Sequence, residues 1–428
     1  MGGTEFYLKG LLHELRAYGI TSLIVAPLGT TQPDEYEVEG TTVRTYSVNE
    51  NPSRAELRGE ALHRGFDRFR QILDEKRADI YHQHSWTRGL GGAHLRAARE
   101  AGFRTVLTVH TPNVICLRGT MMRFGEQACD GRIDSAVCGA CWAHDRGAPK
   151  IVARSIAAIS PAISAALEGA MPYSRFATAL SARTLGESRR KEFARMVADA
   201  DRIVAVCDWL FEALALNGVP TEKLVLSRQG VDGTFVNAGA RGASSGAVSD
   251  AQFRLLYLGR WHPVKGVDVL VNAVRAISPE VPVTLSIHGV GDGIEEQAYA
   301  SHVRRLAAGD ARITIGPPIP RERIASTLAT ASALAVPSLW LETGPLVVLE
   351  AKAVGLPVIG SRLGGIAELV REPEDGVLVP PADVRAWATA ITTMASNHAT
   401  QRHAHVPTIF RTMREVAGEM TALYSSLC

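Results

Sequence analysis

Short apolar runs alternate with amphipathic stretches along most of this chain, and the alternation stops once and starts again. In the first half "TSLIVAP", "DIYHQH", "RTVLTVH" and "RIVAVC" are strand-like. "EFYLKGLLHELRAYG" and "GGAHLRAAREAG" carry apolar residues at helical spacing, the second closing on glycine. The small, polar segment "NAGARGASSGAVSDAQ", residues 237 to 252, reads as a link or loop. After it the rhythm resumes with "RLLYLGR", "PVTLSIHGVG", "RITIGPP", "ALAVPS" and "PVIGS". Alternating β and α at this spacing argues for a parallel sheet wrapped by helices. Stated twice, the pattern gives an α/β chain of two tandem doubly wound, Rossmann-like domains. Ligands in such sheets bind at the carboxyl ends of strands, so the cleft between the domains is where a site is expected. The boundaries fall at 1–228 and 229–405, with a C-terminal helix at 406–428 that packs on the second domain or crosses back to the first. No fixed-period repeat is present.

Composition agrees with two globular domains, since 428 residues exceed one ordinary core. A net charge of +2 gives no reason to expect nucleic acid as a partner. No run of about 18 uncharged apolar residues occurs; the most apolar stretch, "IVARSIAAISPAISAALEGAMP", is broken by Arg154 and Pro161. The opening "MGGTEFYLKG" lacks a basic-then-apolar leader, which makes the cytoplasm the expected location. The arginine-rich stretch 174 to 202 reads as a basic helix. Such a helix rests on anionic lipid, a peripheral contact with the inner face of a membrane, or stays solvated with Glu–Arg pairs along it.

The second half carries the clearest chemistry. In "LLYLGRWHPVKGVDVLVNAV" Gly259 and Gly266 flank Arg260 and Lys265, placing two cations on one strand-end loop. Such a pair suits a diphosphate, because Arg grips oxygens bidentately and Lys adds a point charge; a solvated surface pair is the alternative. Further on, "VPSLWLETGPLVVLEAKAVG" leaves a strand, crosses a loop and starts a helix near Pro345, a favoured first helical position. The unpaired N–H groups of that helix would face an anion. Glu342 precedes the helix and Glu350 lies within it. A carboxylate accepts the adjacent hydroxyls of a ribose, a role that fits Glu350, while Glu342 would reach an attached sugar. The alternative for Glu350 is a helix-surface charge, but Val347, Val348, Leu349 and Ala351 leave little room for a wet face.

The Glu342–Glu350 pair with its seven intervening residues, the "GR…VKG" loop, "GLPVIGSRLGGIAELV", "ADRIVAVCDWLFEAL" and "GVDGTF" together resemble the retaining GT-B glycosyltransferases of family 4. The likeness covers nearly the whole chain. It implies transfer of a sugar from a UDP- or GDP-sugar, with the anomeric configuration kept and no metal needed for catalysis. In that reading Arg260 and Lys265 neutralise the leaving diphosphate, Glu350 holds ribose, and Glu342 with the backbone around Gly344, Pro345 and Leu346 holds the donor sugar. Closure of the two domains would exclude water from the donor. The acceptor is a saccharide, a lipid-linked compound or a small molecule. Two rival readings stay open: a sugar-nucleotide epimerase on the same fold, and a non-catalytic nucleotide-binding or scaffolding subunit.

The resemblance also assigns contact with the donor sugar to His110, which ends "RTVLTVH"; a hydrogen-bonded strand-end histidine is the alternative. His82 and His84 sit at another strand end, where His84 would line the acceptor side. Family members begin with a short apolar strand leading into a "GG" loop, whereas this chain opens directly on Gly2 and Gly3. The first domain is therefore expected to lack its first strand, which in a doubly wound sheet lies centrally. Gly2 and Gly3 still allow close backbone approach to phosphate or acceptor. Finally, the loop 111–147 holds Cys116, Cys129, Cys138 and Cys141, four of the six cysteines, as in bacterial family members with a cysteine-bearing insert. Four thiolates can close a structural Zn²⁺ site or bind an iron–sulfur cluster; reduced thiols, or a redox disulfide at Cys138 and Cys141, are the alternatives.

Overall fold

The computed structural model describes residues 2–28, 35–49, 51, 53–57, 61–75, 78–84, 86–87, 89–160, 162–164, 166, 181–236, 252–400 and 410–428. The link at 237–251 and the start of the arginine-rich stretch, 174–180, lie outside the described residues. The chain divides into two compact units, one of Met1–Ser227 with Ala417–Cys428, the other of Arg228–Val416.

In the first unit β1 (Leu23–Leu28) pairs in parallel with β3 (Thr41–Ser47), and β2 (Glu35–Val38) pairs antiparallel with β3. A second, all-parallel sheet runs in the order β4 (Ile80–Gln83), β5 (Arg104–Val109), β8 (Arg202–Ala205), β9 (Leu224–Leu226), with β6 (Met122–Arg123) and β7 (Gln127–Ala128) forming a small hairpin between β5 and β8 in sequence. Among the described residues no strand bonds to the second edge of β1 or of β4. The side chains of β1, "LIVAPL", are all half-buried, whereas β5 is buried from Thr105 to Val109.

The second unit holds one six-stranded sheet in the order β12 (Ile313–Gly316), β11 (Val283–Val290), β10 (Phe253–Arg260), β13 (Ala333–Val336), β14 (Val358–Ser361), β15 (Gly376–Val379), parallel throughout. Helix Val267–Ala276 packs Val267, Leu270 and Val274 into the core, and Trp387, carried by helix Val384–Thr400, is buried completely. The chain order reverses between β10 and β13, so the crevice outside their carboxyl ends is the topological switch point of this sheet. Both expected donor loops leave the sheet there.

No helix among the described residues is long and apolar enough to cross a membrane. The basic stretch forms helix Ala182–Asp199, where Arg190 pairs with Glu187 at 2.6 Å and Arg195 with Glu192 at 3.7 Å.

Candidate functional site

At the switch point the backbone is fixed first. A Cβ on Gly259 would meet the Tyr257 hydroxyl at 2.5 Å, and that hydroxyl donates to the Arg260 carbonyl at 3.1 Å, pinning the end of β10. Gly266 has φ +65° and no room for a side chain, because its Cβ would lie 2.1 Å from the Pro337 carbonyl oxygen. The loop after β10 therefore lies directly against the loop after β13, and Leu339 N–H donates to Val264 O at 2.7 Å between them. This contact sets Lys265 against Glu342. Lys265 Nζ stands 2.6 Å from Glu342 Oε1, Ser338 Oγ donates to the same oxygen at 2.7 Å, and the ammonium lies 5.3 Å from the Trp340 ring centroid. Arg260 is exposed at the mouth of the same loop, and both Arg260 and Lys265 act on His262, whose imidazole is held below its ordinary pKa first by burial and then by these cations.

Gly344 adopts φ +119° just before the helix. Pro345 is not the first helical residue as expected; it caps helix Leu346–Ala353 with extended backbone, φ −67° and ψ 123°. The glycine pair Gly364 and Gly365 seats the turn from below: Gly365 N–H donates to Glu342 O at 2.6 Å, where any Cβ would collide with Gly344 N. Glu350 points inward, its side chain 6% exposed, and pairs with Arg321, whose guanidinium lies 4.7 Å from the Phe235 ring centroid. Burial pushes the Glu350 carboxyl above its ordinary pKa, Arg321 pulls it down, and Asp232 pushes it up again. Ser338, Trp340 and Arg321 escaped the sequence reading; the only signal for Ser338 was its place at the strand end in "VPS", and Arg321 had none.

In the first unit the structure brings His84 and His110 together, Nδ1 to Nε2 at 3.2 Å. Tyr7, from helix Gly3–Leu15, meets His110 edge-on at 4.6 Å between centroids. The His82 ring lies 3.9 Å from that of His84 and bonds Thr108 Oγ1 at 2.8 Å and Tyr424 Oη at 2.6 Å. Burial holds all three imidazoles neutral: His84 falls to about 4, and His82 and His110 lie well below the usual histidine range. His110 can therefore offer a hydrogen bond but not a charge at neutral pH. Because Tyr424 bonds a buried imidazole, Tyr424→Phe is expected to cost about 1–2 kcal/mol. Chemical denaturation should show a lower midpoint at unchanged slope; an unchanged midpoint would mean the bond is worthless.

The remaining expected residues are placed as follows. Gly2 N–H donates to Glu5 Oε2 at 2.7 Å and Gly3 begins helix Gly3–Leu15, so a carboxylate of the chain itself already occupies this helix entrance. The four loop cysteines are free thiols, not disulfides. They line one pocket, yet as placed they do not form the closed metal shell expected of them, nor a cluster site. Among the described residues no group of three or more His, Cys, Asp or Glu is arranged to hold an ion. The reason lies in where the sulfurs point: Cys138 Sγ lies 3.9 Å from Arg132 O, Cys141 Sγ 3.7 Å from Met122 O, and Cys129 Sγ 3.6 Å from Asp130 Oδ1. Cys207 is buried and Cys428 exposed, away from this loop.

Residues 2–230 match the glycosyl transferase 4-like domain, and residues 252–397 match the domain of glycosyl transferases group 1. Two Rossmann-like units with these matches define the GT-B class of glycosyltransferases. The chain belongs to glycosyltransferase family 4. D-inositol 3-phosphate glycosyltransferase of Kribbella flavida is 32% identical over 231 residues, 51% of this chain and 53% of that protein. The chain spans about half the length of the curated relatives it matches in this way. Sucrose-phosphate synthase from Thermosynechococcus elongatus superposes with TM-score 0.69 at 22% identity, over 100% of this chain and 94% of that one. Anabaena HepE in complex with UDP and glucose gives 0.58 at 16% identity, over 99% and 96%. At such identities these likenesses are of fold.

Proposed function

We propose that the chain is a retaining, metal-independent glycosyltransferase that moves a sugar from a nucleoside diphosphate sugar, UDP- or GDP-linked, to a hydroxyl of a small-molecule, saccharide or lipid-linked acceptor. The observation that carries this reading is the cluster of Lys265, Glu342 and Ser338 at the carboxyl ends of β10 and β13. HepE, which shares the fold, holds UDP and glucose, and the Kribbella relative acts on an inositol phosphate.

The chemistry follows from charge. As the glycosidic bond breaks, negative charge grows on the departing diphosphate, and cations fixed beforehand stabilise it without reorganisation. Lys265 and Arg260 supply them. Before the donor enters, Glu342 neutralises Lys265; a phosphate oxygen takes over the ammonium, and Glu342 turns to the sugar hydroxyls. Glu350, held by Arg321, accepts from the ribose. His110, kept neutral, donates to the sugar. The departing phosphate itself accepts the acceptor's proton. Calorimetry with UDP, GDP and their sugars, followed by a turnover assay, tests the whole. Tight binding of one nucleotide and transfer with retained configuration is the expected result. Binding without transfer or hydrolysis would leave only a nucleotide-binding subunit, and conversion of the donor without acceptor would make the chain an epimerase.

A further inference from the structure

Three histidines stand at the carboxyl ends of β4 and β5, and the transfer chemistry uses only His110. The two strands are parallel neighbours with Gln83 beside Leu107, so His84 and His110 leave the sheet next to each other. Residues two apart on a strand share a face. His82 and His84 therefore meet Thr108 and His110 on one side of the sheet, and His84 Nδ1 comes within 3.2 Å of His110 Nε2. We propose that His84 is a positioning residue: it donates its Nδ1 hydrogen to His110 Nε2 and so fixes His110 as the tautomer that carries its own hydrogen on Nδ1.

The ring centroids of His84 and His110 are 5.5 Å apart while the facing nitrogens are 3.2 Å apart, with the planes within 24°. The nitrogens thus point at each other along the line of centres, as an N–H···N bond needs, instead of the rings lying face to face. Hydrogens on the pair are limited. Burial keeps both imidazoles neutral, so each has one N–H and one bare nitrogen. The contact takes one hydrogen, from either ring, and that choice fixes both tautomers. Were His110 to supply it from Nε2, its Nδ1 would be a lone pair, able only to accept from a ligand. With His84 as the donor, His110 keeps an N–H to give. A hydrogen bond from His110 to the donor sugar requires this second arrangement, and to that extent the role of His84 rests on the transfer reading above. Neighbours hold the His84 ring in place. His82 packs against it at 3.9 Å between centroids, and both nitrogens of His82 are engaged, one with Thr108 Oγ1 at 2.8 Å and the other with Tyr424 Oη at 2.6 Å. Tyr7, edge-on at 4.6 Å, sets the plane of His110. His84 thereby acts through His110 and not on the acceptor.

Nitrogen NMR of the whole chain with isotope-labelled histidine, at neutral pH, reads which ring nitrogen carries each hydrogen; the signals lost in His110→Gln and His84→Asn assign the two rings. Nδ1–H on both His84 and His110 is expected. His84→Phe keeps a ring against His82 without the hydrogen, so His110 should lose its fixed tautomer. Turnover should then fall about tenfold, the worth of one hydrogen bond, with KM for the nucleotide sugar changed less. His84→Asn sets an amide N–H near the place of Nδ1 and should restore both tautomer and turnover. His84→Gln, whose amide reaches further out, should restore neither. If His84→Phe does not fold, the wild-type spectrum decides. Nε2–H on His110, or one and the same His110 tautomer in wild type and His84→Phe, would overturn the proposal. Nδ1–H on both rings in a chain that transfers no sugar would instead sink the transfer reading and leave the tautomers as assigned.

Discussion

Lys265→Met is expected to lower turnover at saturating donor by about 10²- to 10³-fold, the loss typical of one prearranged donor to a developing anion. It should also destabilise the fold, and the two effects can be separated. Glu342 is 7% exposed and Lys265 16%, so removing the ammonium leaves a nearly buried carboxylate without its cation, still accepting from the Ser338 hydroxyl. Breaking one side of a buried pair costs about 3–5 kcal/mol, whereas replacing both sides is far milder. The double variant Lys265→Met with Glu342→Gln should therefore recover most of the stability and none of the activity. Denaturant midpoints and initial rates on the same preparations decide it. Activity of the single variant within tenfold of wild type would remove Lys265 from the chemistry. Activity rescued by the second substitution would mean that the defect was one of folding.

Much of the second unit was legible because its central strands are buried on both faces. Apolar runs such as "RLLYLG" and "ALAV" announce themselves without alternation, and β10 and β13 lie where those runs stand. The glycines of the loops were legible as well, since positions like Gly266 and Gly344 need backbone conformations that other residues resist. What could not be read is of two kinds. β2, "EYEV", is exposed along its whole length and carries no burial pattern to detect. Arg321 and Tyr424 act on partners 29 and 342 residues away, Glu350 and His82, and no local period encodes such pairings. The Lys265–Glu342 contact belongs between these kinds. Both residues stood out as chemistry, but their ion pair with each other required the register of β10 on β13. The thiol orientations were likewise invisible, because a rotamer leaves no trace in spacing.

Glu350→Gln is expected to weaken nucleoside diphosphate binding about 10- to 150-fold, the value of one or two hydrogen bonds to a charged acceptor. Its pH dependence is the sharper test. Burial raises the Glu350 carboxyl above its ordinary value against the pull of Arg321. A carboxyl raised in the folded state contributes stability below the unfolded value of about 4.3 and loses it as pH rises through the folded value. At neutral pH the ligand-free fold thus carries a carboxylate it would rather protonate. In the proposed reading ribose hydroxyls need that carboxylate as acceptor, so binding is expected to pull its pKa back down. Between the free and bound values, binding must release a proton, and affinity must fall as pH drops through the free value, above the range of an exposed glutamate. Calorimetry in two buffers of different ionisation enthalpy measures that proton. Glu350→Gln should abolish it, leaving only the titration of the diphosphate itself. Arg321→Ala removes the opposing cation and should move the inflection to higher pH. Identical pH profiles for wild type and Glu350→Gln would separate Glu350 from the nucleotide.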